Sequence, residues 1–127
     1  AVGMAQTRKL GAFISRKKKI YQDYKKNLKD INQLSIFKYS KYCDPVPHRI
    51  VIFTKTKSNS LRKFLNQSGI GVRQLFMPMH RQPLYNLKKQ LKNSEILFNT
   101  GICLPSAPKL KDREINFVCN KIKKFFN

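Results

Sequence analysis

Between Ser68 and Tyr85 the chain reads SGIGVRQLFMPMHRQPLY, and this stretch holds residue types suited to contacting a polar ligand. His80, set between Pro78 and Pro83, can donate a hydrogen bond to a ligand or tie neighbouring loop carbonyls together. Arg73 offers a planar charged fork that suits an anionic group, or a carboxylate across an interface. Tyr85 can close the loop with its ring and hydroxyl. Phe76, Met77 and Met79 are packing residues by type. A second segment, GICLPSAP from Gly101 to Pro108, contains Ser106. It reads as a turn or helix-start residue rather than a nucleophile, because no nearby histidine stands in sequence to activate it. His48 precedes an apolar run and reads as a surface or interface residue. Cys43, Cys103 and Cys119 are odd in number and share no metal-ligand spacing, so reduced thiols in a cytoplasmic protein are the simplest account.

The elements that must position these residues follow from apolar periodicity. From about Val2 to Lys29, apolar residues recur at Leu10, Phe13 or Ile14, Ile20 or Tyr21, Tyr24 and Leu28, with Lys and Arg opposite, which predicts one long amphipathic helix. Gly11 is a weak point or a close packing contact within it. A polar, aromatic stretch follows to Pro47, and Asp44-Pro45-Val46-Pro47 must be extended or turning. Arg49 to Thr54 is β-branched and short, a buried strand. Ser58 or Ser60 can cap a helix carrying Leu61, Phe64 and Leu65, which Gly69 ends. Ile70 to Leu75 is a weaker strand candidate, and an irregular loop centred on His80 comes next. Leu87 to Phe98 reads as helix, Ile102 to Leu104 as a short strand, and Asp112 to Phe126 as a closing helix. The closing helix has an inner face of Ile115, Val118, Cys119, Ile122 and Phe126. The expected fold is α+β, a short sheet covered by helices.

The chain has 127 residues, enough for one domain with a single core, and its hydrophobic fraction of 41% excludes a disordered polyelectrolyte despite a net charge of +21. Of 27 basic residues 20 are Lys and only 7 are Arg, spread through every segment. Base readout and bidentate phosphate contacts lean on Arg, so solvated lysine faces explain this composition as well as a polyanion partner does. No apolar run approaches the ~20 residues of a membrane span, and no signal-peptide pattern is visible. The chain begins with Ala in what reads as mid-helix, so the start of the protein is expected to lie upstream.

Taken in order, these segments resemble the C-terminal domain of DegT/DnrJ/StrS-type aminotransferases. The resemblance runs through the helix AVGMAQTRKLGAFISRKKKIYQDY, the strand Arg49 to Thr54, the helix Ser58 to Gln67 and the Gly69-Ile70 turn. It continues through Pro78-Met79-His80 and the Leu104 to Pro108 segment into the last helix, where Leu110, Glu114 and Ile115 fall at the family's positions. The segment from Asn32 to Pro47 gives little motif support.

The resemblance implies the small C-terminal domain of a fold-type-I pyridoxal-phosphate (PLP) transferase. Residues 1–30 would form the helix leading from a missing large domain, and residues 31–127 the small domain. The implied enzyme aminates a nucleotide-linked keto-sugar for surface-glycan or related sugar biosynthesis, takes its nitrogen from a donor such as glutamate, and works as a homodimer. His80, Arg73 and Tyr85 would contact substrate. The Schiff-base lysine and the other cofactor contacts would lie upstream, so no catalytic or cofactor-binding residue is assigned here and this chain alone is expected to be inactive and to bind no PLP. The alternatives are a basic nucleic-acid-binding module, using Lys faces and exposed aromatics such as Tyr21, Tyr24, Tyr39 and Tyr42, or an inactive remnant of a split enzyme.

Overall fold

Alternation within Ile50-Val51-Ile52-Phe53-Thr54 sends every second side chain into the interior, and the remaining elements are arranged around that strand. The computed structural model describes residues 2–56, 58–85 and 91–127. In chain order they form α1 (Val2–Thr7), α2 (Leu10–Asn27), β1 (Leu34–Ile36), β2 (Ile50–Thr54), α3 (Ser58–Gln67) and β3 (Arg73–Gln74). A single 3₁₀ turn (Met79–Arg81), α4 (Lys92–Thr100), β4 (Gly101–Leu104) and α5 (Asp112–Phe126) complete the series. The strands make an antiparallel sheet of order β1-β2-β4-β3, with Ile50 opposite Leu104, Ile52 opposite Ile102 and Arg73 opposite Cys103.

This register puts Ile50, Ile52, Ile102 and Leu104 on one face, where α2, α3 and α5 cover them. Ile20, Tyr24 and Leu28 come from α2, Leu61 and Leu65 from α3, and Ile115, Val118, Cys119 and Ile122 from α5. Burial raises the Cys119 thiol to about 11 and pushes the Tyr24 phenol up as well. The Tyr24 hydroxyl is satisfied by donating to the Pro105 carbonyl at 3.0 Å. The α3 C-terminus closes as a Schellman motif. Gly69 adopts φ 77°, its N–H donates to Asn66, and the Ile70 N–H reaches back to Leu65, whose side chain shares the core with Ile70.

Several expectations need correction. The single helix from Val2 to Lys29 is two helices separated at Arg8 and Lys9. The residues before the break have nothing to pack against: Met4 is 68% exposed, Gln6 and Thr7 are exposed, and the Thr7 hydroxyl bonds back to the Gly3 carbonyl, a contact that bends helices. Helix is sustained where Ile20, Tyr24 and Leu28 find the core. The polar stretch before Pro47 contains β1, a three-residue edge strand too short to show a period. Ile70 to Leu75 yields only the two residues of β3, because Ile70 and Val72 are spent on the core below the sheet edge. Ser58 does not stand before α3 as a cap; it is the first helical residue, and its hydroxyl donates to the Asn99 carbonyl. The helix expected over Leu87 to Phe98 is described from Lys92 on, its earlier part lying outside the described residues.

The α2 and α5 helices are also tied by charge. Asp112 accepts from Arg16 at 2.6 Å and from Lys19 at 2.8 Å, Lys19 also reaches Asp23, and the two cations hold the Asp112 carboxyl below its ordinary range. Glu114 reaches back to the Lys111 N–H at 2.6 Å, completing the α5 start.

Two outcomes follow for stability. An added Cβ at Gly101 would overlap Leu75 Cδ1 and stand 2.7 Å from the Leu97 carbonyl oxygen. Gly101→Ala should therefore destabilise by about 1–3 kcal/mol in urea melts, and Gly3→Ala, where nothing lies within 4 Å, should not. Because the folded Asp112 carboxyl is depressed, its contribution is present above its ordinary value of 3.8 and lost as pH falls through the lower folded value. Asp112→Asn should be less stable than the parent at neutral pH, with the gap closing in melts taken below that value.

Candidate functional site

The sheet face turned away from α2, α3 and α5 carries the side chains that the interior does not use. Arg49, Val51 and Phe53 alternate onto it from β2 and its approach, Cys103 stands opposite Val51, and Arg73 stands opposite Cys103. Phe37, Tyr39, Leu75 and Leu97 join Val51 and Phe53 around an apolar hollow of about 340 Å³, with His48 and Arg49 at its rim. Beside it His48, Arg49, Gly71, Arg73, Cys103, Leu104 and Ser106 surround a smaller cavity of about 260 Å³. No carboxylate lines either cavity among the described residues. The Arg49 guanidinium lies over the ring of Phe76, 5.1 Å from its centre.

His80 is placed differently. Only 6% of it is exposed, in the 3₁₀ turn between Pro78 and Gln82, and its Nε2 meets Glu95 Oε1 of α4 at 2.7 Å. An ionised carboxylate only accepts, so Nε2 carries the hydrogen and donates it, which leaves the buried Nδ1 without a partner among the described residues. Arg81 holds the same carboxylate from its other side, with Nε on Oε1 at 2.7 Å and Nη2 on Oε2. One carboxylate thus fastens two successive loop residues to α4, a charge-assisted brace for the segment between Pro78 and Tyr85.

Of the three residues singled out in sequence, Arg73 faces the open side of the sheet and lines the smaller cavity. His80 is braced beneath the loop, and Tyr85 is exposed, its N–H donating to the Gln82 carbonyl. The cavity lined by Arg73 includes neither of the other two. Sequence reasoning missed Arg49 and Glu95. Strand alternation two residues before Val51 would have put Arg49 on the outer face. Glu95, one of six acidic residues in the chain, stood out only by its rarity.

Comparison with known proteins decides the family. Residues 1–123 match the model of the DegT/DnrJ/EryC1/StrS aminotransferase family. The chain belongs to this family. It is 35% identical over 130 residues to GDP-perosamine synthase of Escherichia coli O157:H7, a match that takes in 100% of this chain and 35% of that protein. The fold is shared with the S. venezuelae enzyme DesV, solved with a ketimine intermediate, at a TM-score of 0.92 and 20% identity over 99% of this chain and 35% of DesV. It is also shared with E. coli GDP-4-keto-6-deoxy-D-mannose-3-dehydratase, solved with bound hydrated PLP, at a TM-score of 0.81 and 20% identity over 95% of this chain and 33% of that one. The chain spans about a third of the length of the curated relatives it matches.

Family members use PLP, but the described residues do not fit that cofactor. PLP needs a desolvated lysine amine facing an acid for the ring nitrogen and donors for the phosphate. Lys17, whose amine partial burial pulls below its ordinary range, donates to the His48 carbonyl at 2.9 Å and shares no cavity with a carboxylate among the described residues. Lys18 meets Asp44 at 2.5 Å, yet that carboxylate is almost wholly in solvent. No step of PLP chemistry is assigned to this chain.

The brace gives a measurable outcome. Glu95 is 17% exposed in its side chain, so Glu95→Ala leaves a buried imidazole without its acceptor and should cost about 1–3 kcal/mol in denaturant melts. Hydrogen exchange should accelerate at the Arg81, Gln82 and Tyr85 amides, whose local bonds close this turn. Arg81→Ala removes the more exposed partner and should cost less than about 1 kcal/mol.

Proposed function

We propose that this chain is the C-terminal part of a PLP-dependent aminotransferase that moves an amino group from a donor such as glutamate onto a keto-sugar carried by a nucleotide, for surface-glycan or related sugar biosynthesis. The observation that carries this reading is the family match over residues 1–123, joined to 35% identity with a GDP-perosamine synthase along the whole chain. Residues 1–30 lead from a large domain that binds PLP, and residues 31–127 are the small domain that helps wall the substrate cleft. The intact enzyme is a cytoplasmic homodimer.

On this reading Arg73 offers its fork to an anionic group of the substrate, and its place on the carboxylate-free face of the sheet supports that role. His80 supports the cleft through the loop that it and Arg81 fasten to Glu95, and its second ring nitrogen is the atom left to meet a sugar hydroxyl or diphosphate oxygen. Tyr85 stands exposed at the far end of that loop, where its hydroxyl can close over the ligand.

The test is to capture the native gene product through its C-terminal peptide and weigh it. A product about three times the 14.9 kDa of this chain is expected, since the chain spans 35% of its relative. Borohydride reduction should leave PLP on a lysine outside this sequence, and the purified protein should aminate a nucleotide-linked keto-sugar with glutamate. In it Arg73→Ala should lower kcat/KM at least tenfold, about 1.4 kcal/mol of transition-state binding, with the dimer intact. A native product of 14.9 kDa without PLP or transaminase activity would overturn the reading.

A further inference from the structure

We propose that Arg49 and Arg73, with His48 beside them, form a clamp for a diphosphate group. The proposal deepens the function given above and rests on it only for the source of the diphosphate, a nucleotide-sugar.

Acidic residues are scarce, and the structure shows where they are spent. Asp112 takes Arg16 and Lys19, Glu95 takes His80 and Arg81, Asp44 takes Lys18, and Asp23 takes Lys19. Arg62 bonds Gln74 and Asn59. Arg49 and Arg73 have no side-chain acceptor among the described residues, and the Arg49 Nε is buried as well as unpaired. A desolvated guanidinium donor without an acceptor implies a group not yet in place.

The two arginines are positioned to share that group. Arg73 pairs across Cys103 to Val51, and Arg49 precedes Val51 by two residues, so both side chains leave the same face of the sheet in neighbouring rows. They line one cavity with His48. The Phe76 ring lies flat against the Arg49 guanidinium and leaves its N–H edge for a ligand. The cavity, about 260 Å³, equals the share of roughly nine waters at ~30 Å³ each, which suits the nine heavy atoms of a diphosphate far better than the three of a carboxylate. Two guanidinium forks and an imidazole match phosphoryl oxygens spread over two centres.

The experiment titrates the 127-residue chain with inorganic pyrophosphate by calorimetry at a fixed salt near physiological strength, where diffuse attraction to a +21 protein is screened. One saturable site is expected. Arg49→Gln and Arg73→Gln should each weaken it at least tenfold, whereas Lys25→Gln with Lys29→Gln, which removes more charge elsewhere, should change it less than twofold. Arg73 is exposed, so its variant keeps the test decisive if Arg49→Gln unfolds. No saturable site, or equal losses in the arginine and lysine variants, overturns the clamp. GDP and UDP separate this result from the wider reading. Arginine-dependent pyrophosphate binding that neither nucleotide displaces keeps the clamp and removes the nucleotide-sugar as its source. A longer native protein that aminates its sugar while the arginine variants bind pyrophosphate as the parent does keeps the function and removes the clamp.

Discussion

The pairing of β2 with β4 is the constraint on which the remaining structure rests. Three residue pairs, Ile50 with Leu104, Val51 with Cys103 and Ile52 with Ile102, fix which side chains reach the helices and which reach the opposite face. A slip of one residue would turn Arg49, Val51 and Phe53 into the core and expose Ile50 and Ile52, an exchange that the buried faces of α2, α3 and α5 forbid. The same register brings Arg73 alongside Cys103 and hence into the row next to Arg49. Packing on one side of the sheet therefore positions charge on the other.

The second constraint is the shortage of anions. With 27 basic residues and 6 acidic ones, each carboxylate decides which cation becomes structural and which is left to water or a ligand. Asp112 joins α2 to α5 and Glu95 joins the His80 turn to α4, so two carboxylates hold together segments 93 or more and 14 or more residues apart in sequence. These bonds differ in kind. Those to Asp112 lie in solvent, where ion pairs contribute little, whereas the Glu95 to His80 contact is shielded and its loss strands a polar atom. The loop is held by the stronger of the two.

His80 changes meaning once its surroundings are known. In sequence it stands between two prolines as a residue free to meet a ligand or to bind carbonyls of its own loop, and it does neither within the described residues, because a helix 15 residues further on supplies its partner. Its contribution here is to hold Arg81 and the following turn in place, a mechanical role that leaves one ring nitrogen over. Arg49 is the converse case. It reads as the polar first residue of an apolar strand, yet its guanidinium is flattened on Phe76 with a buried donor unsatisfied.

The sequence by itself determined the elements with strong local signals. The apolar run at β2, the Gly69 stop of α3, the short strand before Leu104 and the helical spacing of Ile115, Val118, Cys119 and Ile122 all state their structure within a few residues. So do the ordered segments that mark the family. Tertiary structure alone decided where α1 ends, since the chain before Leu10 has helical spacing but no surface to bury. It also decided that β1 forms, because a three-residue edge strand owes its existence to the partner beside it. The candidate site belongs to the same class. Arg49 and Arg73 are 24 positions apart and become neighbours only through β4, and no local pattern in a chain can announce a contact that a third strand creates.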